Sequence, residues 1–301
     1  MLTFPTRSLF IEGPDCAGKS TLIKKIHAVS NYEWHIQDRS QISRKIFAEL
    51  YARQAGNINS DLHCELSNLN NRFVLLLPGQ SVINKRFLER GDDFHKDLKS
   101  IGEVYSIFKN KFKFLRMLPN TMMYSRSDTD EIASIVFAHL NIVERCMIRE
   151  VSDQVLRFVE CNNNESYSLE FTLYDDGEFE EASETILDHK SESDYYNEIF
   201  SKLHTKISDE LRGENEYKRV EDFRSRRFVY TDDTCISFIQ IAIRDRVMDF
   251  HVVIRSTNVK DIFPYDIKFL YYLASTCYNR FADSCDKVRM RFNLNSAHII
   301  C

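Results

Sequence analysis

Leu9-Phe10-Ile11-Glu12-Gly13-Pro14-Asp15-Cys16-Ala17-Gly18-Lys19-Ser20-Thr21-Leu22-Ile23-Lys24-Lys25-Ile26 is the stretch that decides how the first half of this chain folds. Leu9-Phe10-Ile11 is a short apolar run, the pattern of a strand buried on both faces of a parallel sheet. Gly13 to Ser20 fits GxxxxGK followed by Ser or Thr at every fixed position, and Thr21 to Ile26 continues with helical apolar spacing. Strand, loop and helix therefore come in the order that a phosphate cradle requires. Glycines let the backbone curl so that successive N–H groups face an anion, and the helix N-terminus adds partial positive charge. Lys19 is then placed to reach the β- and γ-phosphates of ATP, and the Ser20 hydroxyl to ligate Mg²⁺. The candidate ATP-binding residues are Gly13, Asp15, Cys16, Ala17, Gly18, Lys19, Ser20 and Thr21. The plainer alternative, a chance glycine-rich turn, leaves the flanking strand and helix without explanation.

Outside that loop the chain is of ordinary globular composition. Its 301 residues exceed the usual size of one domain, and 43% hydrophobic with 28% charged residues is enough for real cores. The net charge of -5 argues against a dedicated nucleic-acid coat or an anionic-membrane binder, though it leaves room for a local basic groove. Eight cysteines, at 16, 64, 146, 161, 235, 277, 285 and 301, form no CxxC pair and read as free thiols of a reducing compartment. No apolar run approaches the roughly 20 residues of a membrane span, and the first residues lack a signal-peptide core. A cytoplasmic location is expected, that of the host if the chain is viral, with no membrane partner. From 162 to 221 the sequence turns polar and acidic, and strand-like runs resume at Arg227. The expected domains are 1–148 and 149–301.

The loop, read as Ile11 to Thr21, resembles that of thymidylate kinases and related deoxynucleoside monophosphate kinases, which commonly reads EGxDGAGKST. Cys16 stands where those enzymes carry a middle glycine. The resemblance implies that Asp15 contacts the sugar of the acceptor nucleotide. It implies that Asp38 and Arg39, after the strand-like Trp34-His35-Ile36-Gln37 and before the helical Ser43-Arg44-Lys45-Ile46-Phe47, serve Mg²⁺ and the acceptor phosphate. Standard members place such a pair later in the chain, and a surface salt bridge is the alternative. Asn84-Lys85-Arg86-Phe87-Leu88-Glu89-Arg90-Gly91 is similar to the family's lid, where arginines close over the transferring phosphoryl group and stabilise its developing charge. Arg86 and Arg90 are four apart and share a helix face, which a solvated basic surface explains nearly as well. Phe73 to Gly79 reads as the next buried strand, Met122 to Ser125 as the closing strand and 129–140 as the closing helix.

The second half carries a different pattern. Arg226-Arg227 precede Cys235, Gln240 follows five residues later, and then come Arg255-Ser256-Thr257-Asn258-Val259, Pro264-Tyr265-Asp266 and Ala297-His298-Ile299. This order resembles the thymidylate synthase and deoxycytidylate hydroxymethylase family, which typically reads SRR, PCHxxxQ, RSxDV, PFN and HIY. The resemblance implies that Cys235 is a thiolate nucleophile toward the pyrimidine ring, favoured by neighbouring arginines. It implies that Arg226, Arg227, Arg255 and Ser256 hold a nucleotide phosphate, that Gln240, Asn258 and Asp266 read the nucleotide and that His298 holds the sugar hydroxyl. Asp266 stands where the synthases carry Asn, which favours a cytosine-type base. Thr234, Ile236, Asn258 and Ile300 depart from the pattern, and the sequence ends at Cys301 without the family's folate-sealing tail, so a folate cofactor is not expected. A lone Cys235 is also what a buried strand thiol would supply. The acidic run at 175–181 reads as a solvated hairpin rather than a metal site, and Tyr195-Tyr196, Phe200 and Leu203 as the core face of a helix.

Together these readings give an α/β chain: a kinase-like parallel-sheet domain followed by an abbreviated thymidylate-synthase-like α/β domain that dimerises. The expected activity is ATP- and Mg²⁺-dependent phosphoryl transfer to a pyrimidine deoxynucleotide. Such a fusion would suit phage-type deoxynucleotide metabolism. Two rivals are a kinase acting on hydroxymethylpyrimidine within DNA, marked by a basic groove beside the loop, and a nucleotide-sensing or scaffold protein without catalysis.

Overall fold

A strand made of Leu, Ile and Phe loses water on both faces only if helices cover both, and that requirement shapes the unit formed by Thr6–Glu144. The computed structural model describes residues 1–31, 34–54, 56–91, 95–180, 190–214 and 228–300, with the backbone alone at 190–193 and 209–214. The chain opens on a two-residue strand, β1 (Leu2–Thr3), which belongs to the second unit. The first unit then alternates β2 (Ser8–Glu12), α1 (Lys19–Val29), β3 (Ile36–Asp38), α2 (Gln41–Leu50), α3 (Ile58–Ser67), β4 (Asn71–Leu76), α4 (Gln80–Arg90), α5 (Leu98–Leu115), β5 (Thr121–Tyr124) and α6 (Thr129–Glu144).

Its four strands are all parallel, in the order β3-β2-β4-β5. The two central strands, β2 and β4, are buried along their whole length. On one face Phe10, Phe73 and Leu75 pack with Ile42 and Ile46 of α2, Ile83 and Phe87 of α4, and Ile101, Val104, Phe108 and Phe112 of α5. On the other, Leu9, Ile11, Val74 and Leu76 pack with Leu22 and Ile26 of α1 and Ile132, Val136 and Leu140 of α6. The chain order reverses between β2 and β4, and crevices at such a switch point, outside the carboxyl ends of the strands, are where open α/β sheets bind ligands. The stretch from Gly13 to Gly18 leaves β2 at that point.

The second unit, Met1–Pro5 with Arg145–Cys301, is built on a mixed sheet. Its further elements are α7 (Ile148–Cys161), β6 (Glu165–Asp175), α8 (Lys190–Glu214), β7 (Phe228–Thr231), β8 (Ile236–Arg244), β9 (Val247–Ile254), β10 (Thr257–Asn258), α9 (Phe263–Arg280) and β11 (Lys287–His298). The strands run β1-β6-β11-β9-β8-β7, antiparallel except for the β11–β9 pair, with β10 added in parallel to β11. The alternation of buried and part-exposed residues along β8, β9 and β11 puts one face of the sheet in the core. There Phe171 and Phe292 stack with ring centroids 4.7 Å apart. In α8, Tyr196, Ile199, Leu203 and Ile207 are buried, a core face at helical spacing. Asp175 is buried rather than part of a solvated hairpin. It accepts hydrogen bonds from the amides of Gly177 (2.8 Å) and Phe179 (3.2 Å) and from the Tyr271 hydroxyl (2.8 Å), so it fixes the turn after β6. Among the described residues no group of His, Cys, Asp and Glu is placed to hold a metal on its own, and no helix is long and apolar enough to cross a membrane.

Candidate phosphate-loop site

The loop between β2 and α1 is held from three sides. A Cβ on Gly13 would stand 2.5 Å from the Leu76 carbonyl oxygen, so only glycine allows β2 and β4 to approach here. The Lys19 ammonium donates to the carbonyls of Gly13 and Pro14, both at 3.1 Å, and so bridges the loop from inside. Burial and the nearby Arg39 charge lower its pKa, opposed by Asp15, Asp38 and Glu12. Arg86 reaches in from α4 and donates to the carbonyls of Ala17 (2.8 Å), Cys16 (3.3 Å) and Ser127 (3.2 Å). This corrects the lid expectation for Arg86: α4 is a core helix anchored by Ile83 and Phe87, and Arg86 braces the back of the loop. Arg90, one turn on, is exposed at the mouth of the cavity over the loop.

That cavity, about 590 Å³, brings together Asp15, Cys16, Gly18, Lys19, Ser20, Thr21, Asp38, Arg39 and Arg90. Asp38 ends β3, and Arg39 follows with φ 78°, a left-handed conformation that a side chain adopts at a cost. The strained backbone directs the Arg39 guanidinium onto the Asp15 carboxylate and over the Phe47 ring, 4.6 Å from its centroid. Asp15 also holds the buried His95, with 3.1 Å between carboxylate oxygen and Nε2. Burial would raise the Asp15 pKa, but the charges of Arg39 and Lys19 and the His95 bond outweigh it and hold the carboxyl below its ordinary value. The Asp15–Arg39 pair is thus part-buried in a cavity wall, unlike a solvated surface bridge.

Two residues of this site escaped the sequence reading. His95 stands 80 positions from Asp15, and only the fold joins them. Glu12, fully buried at the end of β2, accepts from the amide and hydroxyl of Ser40 and from the hydroxyl of Ser43. Burial pushes its carboxyl up, against those hydrogen bonds. The contact ties the start of α2 to the loop. The Glu12 signal was present, as an acidic residue closing an otherwise apolar strand.

On the far side of Asp15 and Arg39 lies a second cavity of about 600 Å³, walled by Ser40, Ser43, Arg44, Phe47, Tyr51 and His95 among others. Asp15 and Arg39 line both cavities, so the pair is the partition between them.

In the second unit, the strand register gathers the expected residues less completely. The Arg255 amide donates to the Cys235 carbonyl (2.8 Å), and Asn258 lies opposite His298 in the β10–β11 pair. Cys235, Arg255, Ser256, Asn258 and His298 therefore share the end of the sheet where β8 begins and β9 and β11 finish. Cys235 is exposed in the turn before β8, which corrects the buried-thiol alternative. The Tyr195 hydroxyl, also missed, accepts from the Ile236 amide at 2.9 Å beside it. Asn258 is engaged locally, donating to Asp261 (3.0 Å). Gln240 sits midway along β8, away from that end. Asp266 is 1% exposed, and its carboxylate oxygens accept from Tyr196 (2.9 Å) and Thr257 (3.2 Å). Its base-reading role is corrected accordingly: the carboxylate joins α8, α9 and β10 inside the unit. Arg226 and Arg227 lie outside the described residues.

No protein-family model matches the chain. No curated protein matches it. Among solved structures, the thymidylate synthase from T4 phage is similar at 20% identity over 25% of this chain and 30% of that chain, with a TM-score of 0.21. The match spans less than a third of that enzyme.

Proposed function

We propose that the first unit is a phosphotransferase that moves the γ-phosphoryl group of ATP to a pyrimidine deoxynucleotide. The observation that carries this reading is the partition: Asp15 and Arg39, bonded to each other, line both the phosphate-loop cavity and the cavity beside Phe47. ATP would lie with its phosphates in the loop, where Lys19 exchanges its two carbonyl partners for phosphate oxygens. The acceptor would lie beyond the partition, its base against Phe47, its sugar hydroxyl on Asp15 and its anionic group on Arg39. An acceptor phosphate oxygen attacks the γ-phosphorus. One oxygen–phosphorus bond forms as the bond to the β-phosphate oxygen breaks, and ADP leaves with that electron pair. No proton need move when the acceptor atom is a phosphate oxygen. Lys19 and Arg39 meet the charge that builds on the transferring group, where preorganised cations act most strongly.

Mg²⁺ fits the donors present. Ser20 and Asp38 offer hard oxygens in the same cavity, and Mg²⁺ is usually held by one or two protein oxygens with the remainder from phosphate and water. Bound there, it would neutralise phosphate charge. The second unit is read as a nucleotide-binding partner, on the strength of Cys235, Arg255, Ser256 and His298 at one sheet end, without folate-dependent chemistry.

The test is transfer of labelled γ-phosphate from ATP and Mg²⁺ to a panel of deoxynucleoside monophosphates. Lys19→Ala should lose about a hundredfold or more in rate while circular dichroism stays native. Turnover that survives this change would remove the reading.

A further inference from the structure

The cavity beyond Arg39 contains more recognition surface than one mononucleotide uses. Phe47 on α2 and Tyr51 at its C-terminal end are one helical turn apart, with parallel rings (interplanar angle 5°, centroids 6.1 Å apart). Each ring is covered by a guanidinium: Arg39 stands 4.6 Å from the Phe47 centroid and Arg53 4.9 Å from the Tyr51 centroid. A guanidinium over a ring occupies the place where a nucleobase would stack. Stacking surface and cation are therefore both duplicated along the cavity, first Phe47 with Arg39, then Tyr51 with Arg53. The second set is open to solvent: Tyr51 is 43% exposed, and Arg53 is exposed with no acidic partner among the described residues.

The charge balance points the same way. Residues 6–144 carry 19 Lys and Arg against 16 Asp and Glu, while the rest of the chain carries 21 against 29. The overall negative charge thus lies outside the unit that holds this cavity. Aromatic platforms interleaved with cations, on a basic surface, are how proteins bind consecutive nucleotides of a single strand.

We propose that this cavity takes two consecutive nucleotides of a single-stranded polynucleotide, the acceptor on Phe47 and Arg39 and its neighbour on Tyr51 and Arg53. The proposal rests on the acceptor reading above and extends its substrate class from a mononucleotide to a strand. It concerns binding and adds no chemical step.

The experiment is calorimetric titration of the full chain, without ATP and at one fixed salt concentration, with a pyrimidine deoxynucleoside monophosphate and with the matching 5′-phosphorylated dinucleotide. Stacking one further base on Tyr51 should make the dinucleotide bind about tenfold tighter or more. Tyr51→Ala and Arg53→Ala should each remove most of that advantage and leave the mononucleotide within about twofold of wild type. Tyr51→Phe, which keeps the ring, should retain the advantage. Equal affinity for the two ligands, or variants that weaken both alike, would overturn the proposal. The two readings fail separately. A dinucleotide advantage without phosphate transfer to any acceptor would remove only the kinase reading. Transfer to mononucleotides without that advantage would remove only this one.

Discussion

Arg39 carries the largest share of the account at the scale of single residues. Its left-handed backbone, φ 78°, costs on the order of 1–3 kcal/mol. That cost is sustained where the guanidinium meets Asp15 and Phe47 at the partition of two cavities. Arg39→Ala should therefore raise the acceptor's KM about tenfold or more and change the KM of ATP far less; equal effects on both would return the residue to surface decoration. Asp15 gives a second expectation. Its folded carboxyl titrates below the ordinary value of 3.8, so in that window the folded state binds fewer protons than the unfolded one. Its stabilisation is complete above about pH 4 and is lost as pH falls through the folded value. Acid unfolding followed by fluorescence should be shallower in Asp15→Asn below that pH, and an unchanged profile would count against the Arg39–Asp15–His95 arrangement. Asp15, Lys19 and Arg39 were legible in the sequence because each falls inside a motif with a mechanism. His95 was not, because its partner Asp15 is 80 positions away and a lone histidine ahead of a helix carries no local pattern.

At the scale of elements, the start of α2 links the loop to the cavity beside Phe47. Ser40 caps the helix by accepting from the Ile42 amide (3.0 Å) and also donates to Glu12. Glu65 of α3 accepts from the Gln41 amide (2.8 Å). Ser40→Ala should cost about 1 kcal/mol or more in denaturant unfolding, since it removes a cap and leaves a buried carboxylate short of a donor; a change near zero would show that Glu12 does not depend on it. The apolar runs announced β2, β4 and α6, and Met122 to Ser125 lies over β5 within one residue. The helix α5 is harder to read from sequence, although Ile101, Val104, Tyr105, Phe108 and Phe112 give it a regular buried face. Its lysines at 99, 109, 111 and 113 interrupt the apolar pattern on the opposite side, and no motif marked it. The basic Lys85-Arg86 and Arg90 run suggested a lid, but Ile83 and Phe87 make α4 a core helix. Helical periodicity was the stronger signal there.

At the scale of the whole molecule, the sequence divided the chain near residue 148, and the contacts divide it between Glu144 and Arg145 with Met1–Pro5 joined to the second unit. Strand β1 is only two residues long and pairs with β6 more than 170 positions away, a contact that no local pattern encodes. In the second unit the spacing of Cys235, Arg255, Asn258 and His298 gave residues that meet at one end of the sheet, but not the strand order that brings them there. The same spacing misjudged Asp266, because burial against Tyr196 and Thr257 is set by how α8 packs on α9. The central claim is that the two cavities on either side of Asp15 and Arg39 hold phosphoryl donor and acceptor at once. A ligand in which adenosine and a pyrimidine deoxynucleoside are joined 5′ to 5′ through a chain of phosphates tests it most directly. It should bind the full chain at least about a hundredfold tighter than ATP, compete with both ATP and acceptor, and lose most of that gain in Arg39→Ala. Binding no tighter than ATP, or competition with ATP alone, would contradict the claim.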